Sequence, residues 1–491
     1  MADDKNIGIS AYGAYLPRLR LARRAIAETN AWFNPALKGL AKGERTMCNW
    51  DEDAVTMAVE AARDCLAAHD RDGVAAVCLA STTLPFKDRL NAGIVSEALN
   101  LKPSIAAQDV GASQRAATSA LVAALQAVRG GAGPTLLVAS EKRRTKSASP
   151  LELQTGDGAA ALLIGGGPAI AQLIAHATQT VDFVDHHRGE DAEFDYTWEE
   201  RWIRDEGYNK IVPATLSELF SKTATKPGEI THFIMPCVLP RVAAGIAKRA
   251  GIPDGAVREN LQAVCGDTGT AHPLVMLADC LASAKAGDKI LLLGFGQGCD
   301  ALLLEATPEL ARLPPRLGVQ GHLARRREVA NYARFLAFND LVTMDRGMRA
   351  EGDKGTPLSS LYRNRRMLTG FVGGRCSKCG TLQFPKTNVC VNPNCNAFHT
   401  QEDQPFADMP ARVQSYTADR LTYSPDPPAY YGMVTFEQGG RQMIDFTDCD
   451  EENVAVAATM RMMFRVKDRD PQRGFTRYYW KAAPASPPAK A

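Results

Sequence analysis

The sequence predicts a layered α/β protein over roughly its first 310 residues, then a small metal-stapled module and a small β-barrel. Three observations carry this. Short apolar runs alternate with longer Ala-rich helical stretches up to about residue 310. Four cysteines stand in two tight pairs between Gly374 and Cys395. From Ala411 to Phe464, short alternating strands are separated by turn residues, at Ser424-Pro425-Asp426 and Gly439-Gly440.

In chain order, Val55 to Ala68 has the spacing of an amphipathic helix, with Asp51, Glu52 and Asp53 at its positive end. Val74 to Ser81 reads as a buried strand. Ala116 to Val128 is almost all small or apolar, so it reads as a buried helix. Pro134 to Ser140 and Gly158 to Gly165 are further strands. The pattern then restarts. Ile230 to Met235 is a strand, Val242 to Ala250 a helix, Leu274 to Ala284 a buried helix, and Lys289 to Phe295 a strand running into a glycine-rich turn. Each half thus carries strand, helix and strand in similar order, which suggests two related halves at 1–170 and 171–345. Residue-level self-similarity is too weak to prove a repeat. Residues 346–370 read as a helical connector, and the charge run Arg325-Arg326-Arg327-Glu328 as a solvated face. A metal ribbon at 371–400, a barrel at 401–478 and a disordered Pro/Ala-rich tail at 479–491 complete the expected organisation.

The cysteines Cys376, Cys379, Cys390 and Cys395 have the spacing of a structural zinc site. Two thiolate pairs on turns close a tetrahedron around one Zn²⁺. Gly374 and Gly380 bracket the first pair, where sharp turns need permissive backbone. Four thiolates fill the coordination sphere, so this metal holds a fold and does no chemistry. The chemistry belongs to the long α/β region.

Composition narrows the function classes. The 491 residues suffice for two to four domains, and 45% apolar with 23% charged residues is ordinary for a globular protein. A net charge of +2 makes no case for nucleic acid or an anionic membrane. No apolar run approaches the ~20 residues of a membrane span. The opening Met-Ala-Asp-Asp-Lys lacks secretory character, and twelve cysteines in so long a chain suit a reducing compartment; both readings predict a cytoplasmic protein.

Four segments resemble the hydroxymethylglutaryl-CoA synthase family: Asp51 to Ala58, Gly158-Ala159-Ala160-Ala161, Gly266-Asp267-Thr268-Gly269 and Gly294-Phe295-Gly296-Gln297-Gly298. The similarity spans about residues 5 to 345. It implies the thiolase-like five-layer αβαβα sandwich of two fused halves, an acyl-CoA substrate, and a homodimer joined through the N-terminal half with strands near Pro134 to Ser140 at the interface. Residues 357 to 478 resemble the zinc-ribbon plus OB-fold accessory that accompanies thiolase-like enzymes, often as a separate chain; a thiolase or hydratase partner belongs to the alternative reading of the chain as a non-catalytic scaffold.

The family's reactive residues are changed. Asp109-Val110-Gly111-Ala112-Ser113-Gln114-Arg115 matches the stretch that carries the nucleophilic cysteine at the start of a buried helix, and Gln114 takes the cysteine position. Thr82 stands in place of the family glutamate. The family histidine falls near Ile234-Met235-Pro236-Cys237 and is missing. His272 follows the Gly266-Asp267-Thr268-Gly269 loop and resembles the Gly-His-Pro histidine of thiolases; it is either a general acid–base or oxyanion donor, or a helix-capping residue. Gln114 either donates its amide to a thioester oxygen or fills a dead cavity. The resemblance places Thr82, Asp267, Gly296 and Gly298 at the substrate. Cys237 and Cys265 are read as inert buried thiols, with a substitute-nucleophile role open. The segment from Asp182 to Tyr208, with its paired Trp and Arg residues, either lines an acyl pocket or forms a surface hairpin; adjacent His186 and His187 point apart and make a poor metal pair.

The expected function is therefore acyl-CoA C–C bond chemistry, of aldol/retro-aldol or Claisen/retro-Claisen type, without the usual acyl-cysteine. The alternative is a non-catalytic acyl-CoA-binding scaffold subunit.

Overall fold

The computed structural model describes residues 7–352, 355 and 357–485. These form two compact units: Asp53–Gly93 and Lys102–Leu341 with the preceding residues up to Asn49, and Val342 onward with Trp50–Glu52 and Ile94–Leu101. The expected boundary at 345 lies close to this division.

The first unit is built on one nine-stranded sheet that runs through two halves. The first half supplies β1 (Ile7–Tyr15), α1 (Ala54–Leu66), β2 (Ala76–Ala80), β3 (Ala106–Val110), α2 (Ala116–Arg129), β4 (Thr135–Glu141) and β5 (Gly158–Gly166). The second supplies β6 (Ala171–Thr180), α3 (Asn209–Ser221), β7 (His232–Ile234), α4 (Val242–Ala250), α5 (His272–Leu281), β8 (Lys289–Phe295) and β9 (Gly298–Ala306). Strand order is β7-β8-β9-β6-β1-β5-β4-β2-β3. Read outward from the centre, each half runs antiparallel, antiparallel, then parallel: β1-β5-β4-β2 on one side and β6-β9-β8-β7 on the other. The halves meet through the short β1–β6 pairing at Gly8↔Gln172 and Ile9↔Ala171. The repeat that residue-level similarity left unproven is thus present in topology, with the first strand of its second copy beginning at Ala171.

The helices explain the layering. Asp53 caps α1: its Oδ1 accepts from Thr56 N–H at 2.9 Å, and Thr56 Oγ1 accepts from Asp53 N–H at 2.8 Å. Helices α2 and α5 are apolar on most of their surface because both lie in the middle. Leu121, Leu125, Leu274 and Leu277 share one buried cluster with Leu162 of the first half and Leu292 of the second. Each such side chain contributes about 1.5–3 kcal/mol by leaving water. A second cluster joins α3 and α4 to the outer face of β6, β8 and β9. The order α1, strands, α2 with α5, strands, α3 with α4 makes five layers.

One expectation about strands is corrected. The strand near Pro134 to Ser140, expected at a dimer interface, is β4, buried throughout and hydrogen-bonded on both sides to β2 and β5. An interior strand has no free edge to offer a second copy. The open edge on that side is β3, whose residues are exposed or half-buried.

In the second unit, the connector forms two short helices at Leu358–Arg363 and Arg365–Leu368. The ribbon has β10 (Val372–Cys376), β11 (Leu382–Gln383) and β12 (Gln401–Pro405), with β10 in the middle. The barrel has β13 (Ala411–Asp419), β14 (Ala429–Phe436), β15 (Arg441–Asp445), β16 (Thr459–Asp470) and β17 (Phe475–Pro484), in order β15-β14-β13-β16-β17. A parallel bridge between Phe446 and Ala482 closes β15 onto β17, which is the connectivity of an OB-type barrel. The tail expected to be disordered from residue 479 is ordered to Pro484. Ala482 and Ala483 are buried, and residues 479–484 pair with Met460 to Arg465. Its apolar residues close the barrel, so composition alone misjudged them; residues 486–491 lie outside the described residues.

Candidate active site

The start of α2 is pinned to the β8–β9 turn. Ala112 takes a left-handed φ of 68°, turning the chain into the helix. Ser113 Oγ and Arg115 Nε each donate to Gly296 O at 2.9 Å. Arg115 Nη1 pairs with Asp300 Oδ1 at 2.9 Å, and Asp300, fully buried, also accepts from Thr118, Ser119 and Thr178. A carboxylate so deep survives because every lone pair is met. A Cβ on Gly296 would lie 2.9 Å from Ser113 Oγ and 3.0 Å from Arg115 N, so only glycine lets the turn approach. Gly298 packs against β6, where an added Cβ would stand only 2.0 Å from Gln179 O, a hard clash. These two glycines, expected at the substrate, do not line the cavity that Gln114 faces; they shape the turn that pins the start of α2.

This junction presents Gln114 to a cavity of about 800 Å³. Asp267 and Gly269 line the same cavity, as do Arg143, Tyr208 and Phe295. Asp267 Oδ1 accepts from Gly269 N–H at 2.7 Å, which folds the loop tightly before α5. The structure therefore brings Gln114 and Asp267 together.

Thr82 has another task. Glu141, at the end of β4 and fully buried, accepts from Thr82 N–H at 2.5 Å and from Thr82 Oγ1 at 2.8 Å. Ser81 Oγ at 2.8 Å and Thr83 Oγ1 at 3.1 Å complete the set. At position 82, where the resemblance puts Thr82 in place of the family glutamate and at the substrate, three hydroxyl residues instead hold a glutamate from the neighbouring strand. The carboxylate lies beside the cavity loop: a Cβ on Gly269 would stand 2.9 Å from Gln114 Oε1, 3.0 Å from Glu141 Oε2 and 3.1 Å from Arg143 Cδ.

His272 lies behind this loop and does not line the cavity. It is fully buried, its Nδ1 lies 3.1 Å from Thr268 N, and its Nε2 lies 2.8 Å from Asn260 O. Thr268 N–H donates to Nδ1 and Nε2–H donates to Asn260, so one neutral tautomer satisfies both. Of the two readings open for this residue, the geometry matches the capping one.

The outer wall comes from the segment after β6. His186–His187 pairs with Tyr196–Thr197 as a short hairpin. Trp198 and Tyr196 line the cavity, whereas Trp202 stacks on Phe183 at 5.8 Å and Arg204 pairs with Asp205 outside it. The segment is thus part cavity wall and part surface. His186 turns to Asp185 at 3.0 Å and His187 to the Tyr196 ring, so the two imidazoles do not converge. Tyr208 stacks on Phe295 at 4.1 Å, and burial holds its phenol well above the ordinary tyrosine pKa. At the floor, Arg143 pairs with Asp195, which Arg188 also contacts at 3.0 Å. Burial opposes the Arg143 charge, but Asp195, Glu141 and Asp267 together raise its pKa.

No cysteine among the described residues lines this cavity. Cys237 sits between two lining residues, Pro236 and Val238, yet its thiol points inward, 3.7 Å from Leu239 O, and burial pushes its pKa up to about 12. Cys265 is fully buried and likewise pushed to about 12. Glu141, Arg143 and Asp195 were missed by sequence reasoning. The only signal was an acidic residue ending an apolar strand, and nothing local tied it to Ser81–Thr83.

In the second unit, the ligand atoms of Cys376, Cys379, Cys390 and Cys395 all lie within 4.8 Å of one another. Cys376 and Cys395 Sγ are 3.9 Å apart, and Cys379 and Cys390 Sγ 3.5 Å. Thiolates about 2.3 Å from a tetrahedral Zn²⁺ have such separations, so the quartet fits one structural zinc.

Two halves of matching strand order, packed around buried helices with a cavity at the start of α2, define a thiolase-like fold. Similarities to known proteins sharpen this. Residues 220–305 match the family described as 3-oxoacyl-(acyl-carrier-protein) synthase III, C terminal, and residues 370–398 match the ChsH2 rubredoxin-like zinc ribbon domain. Hydroxymethylglutaryl-CoA synthase of Aeropyrum pernix is 30% identical over 337 residues, 66% of this chain and 92% of that protein. The synthase of Methanocella arvoryzae is 28% identical over 343 residues, covering 67% and 97%. This chain belongs to the hydroxymethylglutaryl-CoA synthase family. Among solved structures, an HMG-CoA synthase complexed with CoA matches 82% of this chain and all of its own at a TM-score of 0.59 and 18% identity. The synthase III of Aquifex aeolicus matches 61% of this chain at 0.53 and 21%. At these identities the structures speak for the fold. No helix of the described residues is long and apolar enough to cross a membrane.

Proposed function

We propose that this chain makes or breaks a C–C bond beside an acyl-CoA thioester without acylating itself, as an aldol or retro-aldol enzyme on a β-hydroxyacyl-CoA. One observation carries the reading: an amide, Gln114, faces the cavity from the start of α2, and none of the described thiols reaches that cavity. An amide cannot hold an acyl group, but it hydrogen-bonds a hydroxyl or an enolate oxygen. The names of the curated relatives and the CoA-bound synthase support a CoA thioester as substrate.

In the cleavage direction, Asp267 takes the proton of the β-hydroxyl. The Cα–Cβ bonding pair moves to the thioester as an enolate, and the β-carbon leaves as an aldehyde or ketone. The enolate then takes a proton at its α-carbon. The step is redox-neutral and balanced. Asp267 is the loop carboxylate that lines the cavity beside Gln114. His272 is a positioning residue here: through Thr268 and Asn260 it fixes the loop that carries Asp267. Thr82 positions Glu141, and Gly296 and Gly298 shape the turn that pins the start of α2.

The test mixes the protein with β-hydroxyacyl-CoA substrates and reads both carbonyl release and intact mass. Carbonyl product with no mass adduct is expected, and turnover survives thiol alkylation. A thioester trapped on Cys237 or Cys265 overturns the reading. Binding without turnover across the panel returns the scaffold alternative. A homodimer belongs to the same proposal, now joined through the open edge strand β3, since an unpaired edge is the surface that a second copy's strand can extend. Light scattering that returns only a monomer-sized species ends that part.

A further inference from the structure

The charges around the cavity say which acyl group it accepts. Five carboxylates line it: Asp185, Glu193, Asp195, Glu200 and Asp267. The lysines and arginines of the lining are two, Arg143 and Lys146. Arg143, the cation at the floor, is already engaged. It pairs with Asp195, and Glu141 and Asp267 add to the negative field around it. Arg188 also contacts Asp195 and Arg144 pairs with Glu193, which offsets part of this charge, but a further anion still meets five lining carboxylates against two lining cations.

Two polar atoms at the floor nonetheless lack partners among the described residues: Gln114 Oε1, an acceptor, and Arg143 Nε, a donor. Arg143 is more than nine-tenths buried and lines the cavity. A buried group without a partner costs about 1–3 kcal/mol, and an uncharged hydroxyl is a partner either atom can take without adding charge to the site. The remaining walls are aromatic, from Phe194, Tyr196, Trp198, Tyr208 and Phe295, and the volume of about 800 Å³ suits a ring-sized chain.

We propose that this cavity selects uncharged, ring-sized β-hydroxyacyl thioesters and rejects acyl chains that end in a carboxylate. The inference rests on the function proposed above for the thioester and its hydroxyl. It separates this chain from its named relatives, because a hydroxymethylglutaryl group ends in a carboxylate.

The experiment is a binding comparison by calorimetry on the full-length protein, which needs no turnover. The probes are β-hydroxy-β-phenylpropanoyl-CoA, the same thioester with a para-carboxylate on the ring, and hydroxymethylglutaryl-CoA. The CoA moiety is common to all three and cancels. The neutral aromatic probe is expected to bind at least about tenfold more tightly than either carboxylate probe, a difference of about 1.4 kcal/mol. In Asp195→Asn, with one negative charge fewer at the floor, the carboxylate penalty shrinks severalfold. Because that variant also disturbs Arg143, the wild-type comparison decides. Equal or tighter binding of a carboxylate probe overturns the inference even if the protein turns over a β-hydroxyacyl-CoA. Neutral-selective binding without turnover upholds the inference while ending the proposed chemistry.

Discussion

The zinc ribbon and the cavity show two ways of building a site. The ribbon takes all its ligands from Cys376 to Cys395, a stretch so short that sequence spacing almost dictates geometry. The cavity assembles Gln114 from the start of α2, Arg143 from beyond β4, Asp195 from an irregular segment and Asp267 from the loop before α5. Those positions come together only after two halves have packed around α2 and α5. The local site is a motif with a metal's energy behind it. The dispersed site is held by buried polar contacts, each modest, such as Arg115–Asp300 and the hydroxyls on Glu141.

Experiments can stress this contrast, and the ribbon should give the largest response. Structural zinc supplies about 10–16 kcal/mol in small metal-folded modules. Cys376→Ser with Cys379→Ser should reduce bound zinc from about one per chain to none by metal analysis, with proteolytic nicking near 371–400. Zinc retained by the double variant would mean that other residues are the ligands.

At the cavity, Asp267→Asn should lower kcat by about 10²–10⁴, the usual loss for a general acid–base group. Its folding should be nearly unchanged, because the amide oxygen still accepts from Gly269 N–H. Full activity in this variant would move the proton-transfer role elsewhere, with Glu141 the next carboxylate to test.

His272→Gln sharpens the distinction between positioning and chemistry. Losing one or both buried hydrogen bonds should cost about 1–3 kcal/mol in urea unfolding. The pH dependence of kcat should keep its shape, since the imidazole carries no reacting proton. A lost limb in that profile, with stability intact, would return His272 to the chemistry.

The smallest effect is expected from acid. Burial works against ionised Asp195, yet Arg143 and Arg188 hold its pKa below the ordinary carboxylate value. A depressed folded pKa contributes stability above the unfolded value of about 3.9, and loses it as pH falls through the folded pKa. Asp195→Asn should therefore be less stable than wild type at neutral pH, with the gap closing as pH drops below about 4. A gap that stays constant to the lowest pH would mean that the pair contributes through packing alone.

Much of this molecule is legible in one dimension. Capping at Asp53, the apolar α2 and α5, the restart of the strand pattern after residue 170 and the cysteine spacing are local signals, because each depends on residues within a turn or two of one another. The family resemblance put Gln114 at the cysteine position in the same way, by its place in a recognisable stretch. Other readings needed the folded chain. Composition called the tail from residue 479 disordered, but its residues find a partner strand in Met460 to Arg465. The family resemblance implied β4 as an interface, but only sheet order shows that it has neighbours on both sides. His272 looked catalytic from its neighbours, whereas the fold turned both of its nitrogens to backbone. Glu141 had one local mark, an acid ending an apolar strand, and nothing that tied it to a site. Its role depends on hydroxyls some sixty residues earlier, brought within hydrogen-bond reach because β2 and β4 pair in parallel. Sequence by itself determined which elements form and which atoms a zinc ion would take, since those energies are short-range along the chain. Tertiary structure decided which side chains face the cavity and which charges they meet there, because distance in space, and not along the chain, sets those interactions.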